Sequence, residues 1–273
     1  MIDHIFSDMD GTLLNPDGHI TAATVSAIKQ AQIPVTLVSA RAPLEMAASI
    51  QALGLHEPQI AFNGGLIFQP SATGINYIQE RPIATATANQ IVTTIERSLP
   101  AVSVSYYDRT RWYAGKLDEG IAYEQRLTGQ MATITPSAQT FAQQRCTIFK
   151  IMFITFDSAL MGQLRAKLDA MHLAGVSVQQ SGTAYLEITS SGAKKSHGIR
   201  YILERQHLDA ANTAGFGDGH NDLPMLEMVG LPVVMGNALP EIKAVAQYVT
   251  KTNAADGVAY ALKHYPAFQR TPK

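Results

Sequence analysis

Two aspartates, one residue apart, follow a short apolar run near the start of the chain. In the stretch HIFSDMDGTLL, residues 4–14, Asp8 and Asp10 stand where a predicted strand ends, and Gly11 and Thr12 follow at once. Carboxylates at this spacing repel each other, so they either serve as turn formers or share a positively charged partner. Carboxylate and carbonyl oxygens are the ligands that Mg²⁺ prefers, so the second alternative is a magnesium site.

A second acidic group stands near the end of the chain, in the stretch GDGHNDLPML. It contains Asp218, Asn221 and Asp222. Before it, Lys194 and Lys195 occupy a predicted loop-to-helix junction. A transferred phosphoryl group carries negative charge that a lysine can balance, so these residue types together indicate phosphoryl chemistry.

Polar residues that follow two other predicted strands extend this set. Ser39 ends the strand stretch IPVTLVS and Ala40 follows it, and Asn63 follows the strand QIAF. In a parallel α/β sheet, ligands bind outside the carboxyl ends of the strands. We therefore expect these residues to lie with the two acidic groups at one edge of one sheet. Asn63 precedes two glycines, so a role in the turn and a contact with substrate are equally open.

The order of the predicted elements indicates an α/β protein with an insertion. Strand and helix signals alternate over about the first 80 residues and again after about residue 190, which is typical of a doubly wound parallel sheet, a Rossmann-like fold. Two hairpin signals lie between, VSVSYYD with RWYAG and VSVQQSG with AYLEIT, and hairpins imply antiparallel pairing. We predict a core formed by residues 1–81 and 189–273, with an inserted α+β cap domain over residues 82–188.

The composition argues against several classes of protein. The chain has 273 residues, 46% of them apolar, and a formal net charge of −1, so no basic surface indicates nucleic acid. No apolar stretch reaches the roughly 20 residues of a membrane span, and the N-terminus lacks the basic segment of a signal peptide. Cys146 is the only cysteine, which excludes an intramolecular disulfide. We expect a cytoplasmic protein, a monomer or weak homo-oligomer, that binds neither nucleic acid nor membrane.

Four motifs together resemble those of the haloacid dehalogenase superfamily of phosphatases. They are DMDGTLL, VSAR, GAKKSHG and GDGHNDLPML, in this order. The stretches EIT…GAKK, VVMGNA and ADGVAYAL are similar to its Cof-type subgroup, in which a cap is inserted between the second and third motifs. The resemblance extends over nearly the whole chain.

This resemblance implies a role for each motif residue. Asp8 would be the nucleophile that forms an aspartyl-phosphate, and Asp10 would protonate the leaving oxygen and then activate water. Mg²⁺ would be bound by the carboxylates of Asp8 and Asp218 and the backbone carbonyl of Asp10, with Asp222 as a further ligand or as a support. The phosphoryl group or the rest of the substrate would be contacted by Met9, Thr12, Ser39, Ala40, Asn63, Lys195 and Asn221.

The chain departs from the subgroup's pattern at two positions. Ala40 stands where glycine is usual, and we expect little effect because a backbone N–H remains, unless φ is positive there. The spacing after LEIT assigns the family's lysine to Lys195, and Lys194 stands where a small residue is common.

The resemblance implies a Mg²⁺-dependent phosphatase of small phosphorylated metabolites. Sugar phosphates are the leading substrate class, and a phosphorylated cofactor, FMN or pyridoxal phosphate, is the second. A phosphomutase with the same chemistry is an alternative, which would need a second phosphate site in the cap; Arg109 and Arg111 are the one hint of it. A non-catalytic sensor of phosphorylated metabolites would be expected to lack the nucleophile or the acid, yet Asp8 and Asp10 are both present.

Overall fold

Strand β1, His4–Ser7, is fully buried and begins the predicted alternation of strands and helices. The computed structural model describes residues 1–72, 74–142 and 146–269. The other elements before residue 81 are α1 (Ala22–Ala31), β2 (Val35–Leu37), α2 (Pro43–Leu53), β3 (Gln59–Ala61), β4 (Leu66–Ser71) and β5 (Gly74–Glu80).

Hairpins and helices fill the middle of the chain, and the α/β alternation then returns. The middle elements are α3 (Thr85–Ser98), β6 (Ser103–Tyr107), β7 (Trp112–Ala114), α4 (Glu119–Thr128), β8 (Thr133–Ile134), α5 (Ser137–Ala142), β9 (Lys150–Ile154), α6 (Ser158–Ala170), β10 (Val176–Ser181) and β11 (Tyr185–Ser190). The returning elements are α7 (Lys195–Arg205), β12 (Thr213–Gly217), α8 (Leu223–Leu226), β13 (Leu231–Val234), α9 (Pro240–Lys243), β14 (Tyr248–Val249) and α10 (Gly257–His264).

The core sheet is parallel, with strand order β14-β13-β12-β1-β2. β1 lies between β12 and β2, so that Ser7 pairs with Phe216 on one side and with Leu37 on the other. An isolated parallel bridge from Val38 to Ile60 continues this sheet toward β3. Parallel strands in this register end at one edge, so the residues that follow them emerge close together. The predicted doubly wound α/β core is confirmed.

The buried face of α7 explains how this helix is held against the core sheet. Lys195, Gly198, Ile199 and Ile202 are its buried residues, which is the i, i+3, i+4, i+7 spacing of one helical face. Ile199 and Ile202 pack with Phe6 of β1 in one apolar cluster, and each such buried side chain contributes about 1.5–3 kcal/mol. The helix therefore carries its first residue, Lys195, toward the interior and not toward solvent.

The middle of the chain forms a second sheet, with strand order β10-β11-β9-β6-β7-β8. The two predicted hairpins, β6 with β7 and β10 with β11, are antiparallel, which confirms the predicted α+β cap. Ile151 and Phe153 of β9 join an apolar core with Ile91 and Ile95 of α3. The apolar, β-branched run CTIFKIMFIT predicts a strand over its whole length, but pairing with β6 and β11 covers only Lys150–Ile154.

The chain divides into two compact units. One comprises residues 1–41, 46–79 and 194–273, and the other residues 42–45 and 80–193. Residues 270–273 of the predicted second core segment, and 143–145 of the predicted cap, lie outside the described residues. Among the helices of the described residues, none is long and apolar enough to cross a membrane.

Candidate active site

The loop after β1 carries Asp8 to the edge of the core sheet. The Asp8 N–H donates to the carbonyl oxygen of Phe216 at 2.9 Å, which extends the pairing of β1 with β12 by one residue. Met9, the next residue, is fully buried. Gly11 has a φ of +77°, and a Cβ on it would collide with the carboxylate of Asp218. Glycine at this position therefore lets the two acidic loops approach each other.

Lys195 is a buried cation between two carboxylates. Its ammonium donates to Oδ1 of Asp8 at 2.5 Å and to Oδ1 of Asp222 at 2.8 Å, and its side chain is 1% exposed. Burial by itself would lower the pKa of Lys195, but the two carboxylates raise that pKa above its usual value. The lysine therefore stays charged. Lys194, by contrast, is exposed.

Asp222 has both carboxylate oxygens engaged by the protein. Oδ1 accepts from Lys195, and Oδ2 accepts from the backbone N–H groups of Asp218 and Gly219, both at 3.0 Å. Asp222 is fully buried, so the three donors replace the water molecules that would solvate an ionised carboxylate. Asp222 thus links the loop after β12 to the first turn of α7.

Asp218 is oriented by two other side chains. The hydroxyl of Thr12 donates to Oδ1 at 2.8 Å, and the amide of Asn237 donates to Oδ2 at 3.3 Å and to the carbonyl oxygen of Gly11 at 2.8 Å. Burial, followed by the charge of Asp222, raises the pKa of Asp218, while the Thr12 hydroxyl opposes the shift. The hydroxyl of Thr12 is therefore directed at Asp218.

Asp10 is more exposed than the other three aspartates of the site. Its side chain is 57% exposed, and the guanidinium of Arg41 holds it from one side. Nε of Arg41 donates to Oδ2 at 2.8 Å and Nη2 donates to Oδ1 at 2.6 Å, so each oxygen accepts one hydrogen bond. This is the two-bond fork of arginine on a carboxylate, which fixes direction as well as distance.

The loops after β2 and β3 lie side by side at the same edge. The Asn63 N–H donates to the carbonyl oxygen of Ser39 at 2.8 Å. The buried hydroxyl of Ser39 accepts from the Arg41 N–H at 3.1 Å. Ala40 does not have a positive φ, so alanine in place of glycine causes no backbone strain there.

The segment Phe62–Gly64 is strained. Its φ values are +51° for Phe62, +54° for Asn63 and +95° for Gly64, and left-handed torsions are costly for a bulky residue such as phenylalanine. A Cβ on Gly64 would collide with the carbonyl oxygen of Lys194, so the segment supports the start of α7. Within the described residues, no donor reaches the buried Oδ1 of Asn63. An unpaired buried acceptor of this kind costs free energy and adds to the strain of the segment.

The carboxylates of Asp8, Asp218 and Asp222, hereafter the acidic cluster, lie close together. One oxygen from each lies within 4.8 Å of the others. Burial and then the charge of Asp222 raise the pKa of Asp8, against the opposing effect of Lys195. Carboxylate oxygens are hard ligands, and the cluster contains neither cysteine nor histidine, so the residues present fit Mg²⁺. Asn221 lies on the same loop as Asp218 and Asp222.

Two residues of the site were not assigned a role from the sequence. Asn237 follows β13 by three residues, so the search for polar residues after strand ends would have found it had it included β13. Arg41 stands in the VSAR motif, but spacing does not tell which carboxylate an arginine meets.

A doubly wound core with an acidic cluster at its strand ends and an inserted cap is the architecture of a capped phosphatase. The sequence profile of the family described as haloacid dehalogenase-like hydrolase matches residues 5–262. The chain therefore belongs to this family, in its Cof-type subgroup, and is a phosphatase enzyme.

Similar proteins agree with this assignment. The chain is 31% identical to a putative phosphatase of Haemophilus influenzae, over 96% of this chain and 98% of that protein. It is 27% identical to the 5-amino-6-(5-phospho-D-ribitylamino)uracil phosphatase of Bacillus subtilis, over 93% and 94% of the two chains. A crystal structure of a Thermotoga maritima protein superposes with a TM-score of 0.85 at 27% identity, over 100% and 99% of the two chains.

Proposed function

We propose that the chain is a Mg²⁺-dependent phosphatase that transfers the phosphoryl group of a small metabolite to Asp8 and then to water. The observation that carries this proposal is the buried acidic cluster around Lys195. Three carboxylates lie within 4.8 Å of one another, and Lys195 pairs with only two of them, Asp8 and Asp222, so a further cation would balance the cluster. A nucleophilic carboxylate beside a cation and a metal is what phosphoryl transfer requires.

Mg²⁺ would be held by the carboxylates of Asp8 and Asp218 and by the backbone carbonyl of Asp10. When bound, the cation neutralises charge on the phosphoryl oxygens and reduces their repulsion of the nucleophile. Thr12 and Asn237 support this role for Asp218, because each donates to one of its oxygens and so fixes the carboxylate plane.

Asp222 is proposed chiefly as the residue that positions Lys195. Both of its oxygens already accept hydrogen bonds from the protein, which favours support over direct metal ligation. Lys195 in turn would contact the phosphoryl oxygens and balance their charge during transfer.

Asp8 and Asp10 would divide the chemistry into two displacements. In the first, a carboxylate oxygen of Asp8 attacks phosphorus, the bond from phosphorus to the leaving oxygen breaks, and Asp10 gives its proton to that oxygen. In the second, Asp10 takes a proton from water as the water oxygen attacks phosphorus. Inorganic phosphate leaves and the Asp8 carboxylate is regenerated.

The phosphoryl oxygens would be bound by groups of three adjoining loops. Candidates are the N–H groups of Met9 and Ala40, the hydroxyls of Ser39 and Thr12, the ammonium of Lys195 and the amide of Asn221. The hydrogen bond from Thr12 to Asp218 makes Thr12 the weakest of these. Asn63, whose N–H donates to the carbonyl oxygen of Ser39, lies beside these loops and would contact the rest of the substrate.

The proposed substrates are small phosphorylated metabolites, with sugar phosphates as the leading class. The Bacillus subtilis relative is named for a substrate whose phosphate sits on a ribityl chain, a sugar-derived polyol, and this supports the choice. The same name concerns a ribitylamino-uracil, so phosphorylated cofactors such as FMN or pyridoxal phosphate remain the second class.

The phosphomutase alternative gains no support from the cap. Its hint of a second phosphate site was Arg109 with Arg111, and Arg109 donates to Glu80 at 2.8 Å. A sensor without activity is disfavoured because the family is enzymatic and the proposed nucleophile is present.

The remaining parts of the proposal rest on the sequence. We propose a core of residues 1–81 and 189–273 with a cap of residues 82–188. The compact units change at residues 79–80 and 193–194, which is near these limits but assigns residues 80–81 and 189–193 to the unit of the cap. A cytoplasmic location and a monomer or weak homo-oligomer complete the proposal.

Phosphate release from a panel of phosphorylated metabolites and 4-nitrophenyl phosphate tests this function. The wild type and Asp17→Asn, an exposed aspartate of the same loop, should release phosphate with Mg²⁺ and not with EDTA. Asp8→Asn should lose about 10³-fold or more. A chain that releases no phosphate from any ester, or whose release survives EDTA or Asp8→Asn, would contradict the proposal. Analysis of the products from a hexose 1-phosphate separates a hydrolase, which gives phosphate, from a mutase, which gives the isomer.

A further inference from the structure

We propose that Arg41 is a positioning residue for Asp10, and that it acts on the reaction through that carboxylate and not through the substrate. This inference rests on the proposed function, in which Asp10 gives and takes the proton. Its basis is the fork of two hydrogen bonds, 2.8 Å from Nε to Oδ2 and 2.6 Å from Nη2 to Oδ1.

The surroundings of Asp10 explain why its carboxylate needs a fixed partner. The side chain is 57% exposed, and its backbone (φ −75°, ψ 125°) lies in the loop that Gly11 turns. An exposed aspartate samples several rotamers, and a proton donor displaced by about 1 Å can lose about 10²-fold in rate. Two parallel hydrogen bonds restrict both the position and the plane of the carboxylate.

Arg41 is itself fixed to the neighbouring loops. Its N–H donates to the hydroxyl of Ser39 at 3.1 Å, and its carbonyl oxygen accepts from the N–H of Phe62 at 3.0 Å. Because β2 pairs with β1 in parallel, these loops stand next to the loop that carries Asp10. The two hydrogen bonds from Arg41 therefore fix the position of the Asp10 carboxylate relative to the loop that carries Ser39 and Ala40.

The fork is compatible with proton transfer. A carboxylic acid has two oxygens, so Asp10 can carry the proton on one while the other still accepts from Arg41. An exposed ion pair adds little to stability, typically about 0–1 kcal/mol, so a contribution to folding does not account for it.

Leaving groups that differ in their need for a proton test this inference. Phenyl phosphate needs protonation of its leaving oxygen, whereas 4-nitrophenolate departs without it, and kcat/KM reports this first displacement. Arg41→Met should lower kcat/KM for phenyl phosphate by about 10- to 100-fold and for 4-nitrophenyl phosphate by less than about threefold. In an Asp10→Asn background the same substitution should have almost no further effect. Arg165→Met, which removes an exposed arginine of α6, should leave the ratio of the two substrates unchanged.

Three results would overturn the inference. An equal loss on both esters would assign Arg41 to the substrate phosphate, and so would a loss that persists in the Asp10→Asn background. A loss accompanied by a large fall in the melting temperature of Arg41→Met would assign it to folding. If the wild-type protein has no activity on either ester with Mg²⁺ present, the proposed function itself is overturned. This outcome is distinct from the three above, because it is seen in the wild type alone and does not depend on any variant.

Discussion

The ammonium of Lys195 lies 2.5 Å from Oδ1 of Asp8, although 187 positions separate the two residues in the chain. β1 brings Asp8 to the end of a central strand, and the apolar face of α7 brings Lys195 into the interior. Asp222 completes the pair from the loop after β12. The site is therefore built by the contact between the first and last parts of the chain.

Replacement of Lys195 should destabilise the fold, because its charge offsets the repulsion between the carboxylates of Asp8 and Asp222. Lys195→Met leaves Asp8 and Asp222 without their common cation, and breaking a buried ion pair in this way costs about 3–5 kcal/mol. We expect a lower unfolding midpoint in urea, and a larger stabilisation by added Mg²⁺ than in the wild type, since the metal would replace the missing charge. Lys194→Met, at the exposed neighbour, should match the wild type. Equal stabilities of the two variants would contradict this.

Gly11 and Gly18 have nearly the same φ, so a comparison of their alanine variants separates the cost of backbone strain from the cost of a steric collision. Gly11 and Gly18 have φ values of +77° and +78°, but a Cβ on Gly11 would meet the carboxylate of Asp218, and one on Gly18 would meet nothing within 4 Å. Gly18→Ala should cost about 1 kcal/mol of unfolding free energy from the left-handed torsion alone. Gly11→Ala should cost more and should also weaken Mg²⁺ binding, both measurable by denaturation and calorimetry. Identical losses would show that Asp218 does not depend on this approach.

The affinity for Mg²⁺ should depend on the two side chains that orient the Asp218 carboxylate. Thr12→Val and Asn237→Ala each remove one donor to its carboxylate, and loss of such a partner typically weakens metal binding by about 10- to 100-fold. Calorimetric titration with Mg²⁺ measures this without substrate. Asn89→Ala, at an exposed position of α3, serves as the control and should bind like the wild type. Unchanged affinity in both site variants would remove Asp218 from the ligand set.

His4 should make the fold sensitive to acid. Its Nε2 lies 2.9 Å from the Thr36 hydroxyl, which itself donates to the carbonyl of Pro58, so His4 is the donor. Burial lowers the pKa of His4 from 6.5 to about 4. The folded protein therefore binds fewer protons than the unfolded chain between these values. The contribution of neutral His4 is complete above about pH 6.5 and falls as the pH decreases toward 4, by up to ~3 kcal/mol.

Urea unfolding near neutral pH and in mild acid measures this contribution. The stability advantage of the wild type over His4→Gln should shrink as the pH falls below 6.5. His56→Gln, an exposed histidine, should show no such trend. A constant difference between wild type and His4→Gln across the range would refute the prediction.

The positions of the aspartates were predictable because they follow from simple rules. Apolar runs mark β1 and β12, parallel strands end at one edge, and Asp8 and Asp218 follow these strands directly. The choice of Lys195 over Lys194 agrees with the phase of α7, since residues three and four positions apart share its buried face.

The partners of those aspartates were not predictable, because loop torsions decide them. The fork of Arg41 on Asp10 depends on the conformations of two loops that only the folded sheet brings together. The strained torsion of Phe62 contradicts its local preference and persists because the surrounding contacts enforce it. The length of short elements was also not predictable: the run NDLPMLEMV predicts a helix over its whole length, but the α-helix there has only four residues, Leu223–Leu226.

Direct detection of a phosphoryl group on Asp8 tests the proposed chemistry most directly. Asp10→Asn should slow hydrolysis of the intermediate, and 4-nitrophenyl phosphate should still load it because its leaving group needs no proton. After acid quench and borohydride reduction, mass spectrometry should find homoserine at position 8, and only when Mg²⁺ and substrate were both present. Continued release of nitrophenol with no modification of Asp8, or with the modification on another residue, would contradict the assignment of Asp8 as the nucleophile.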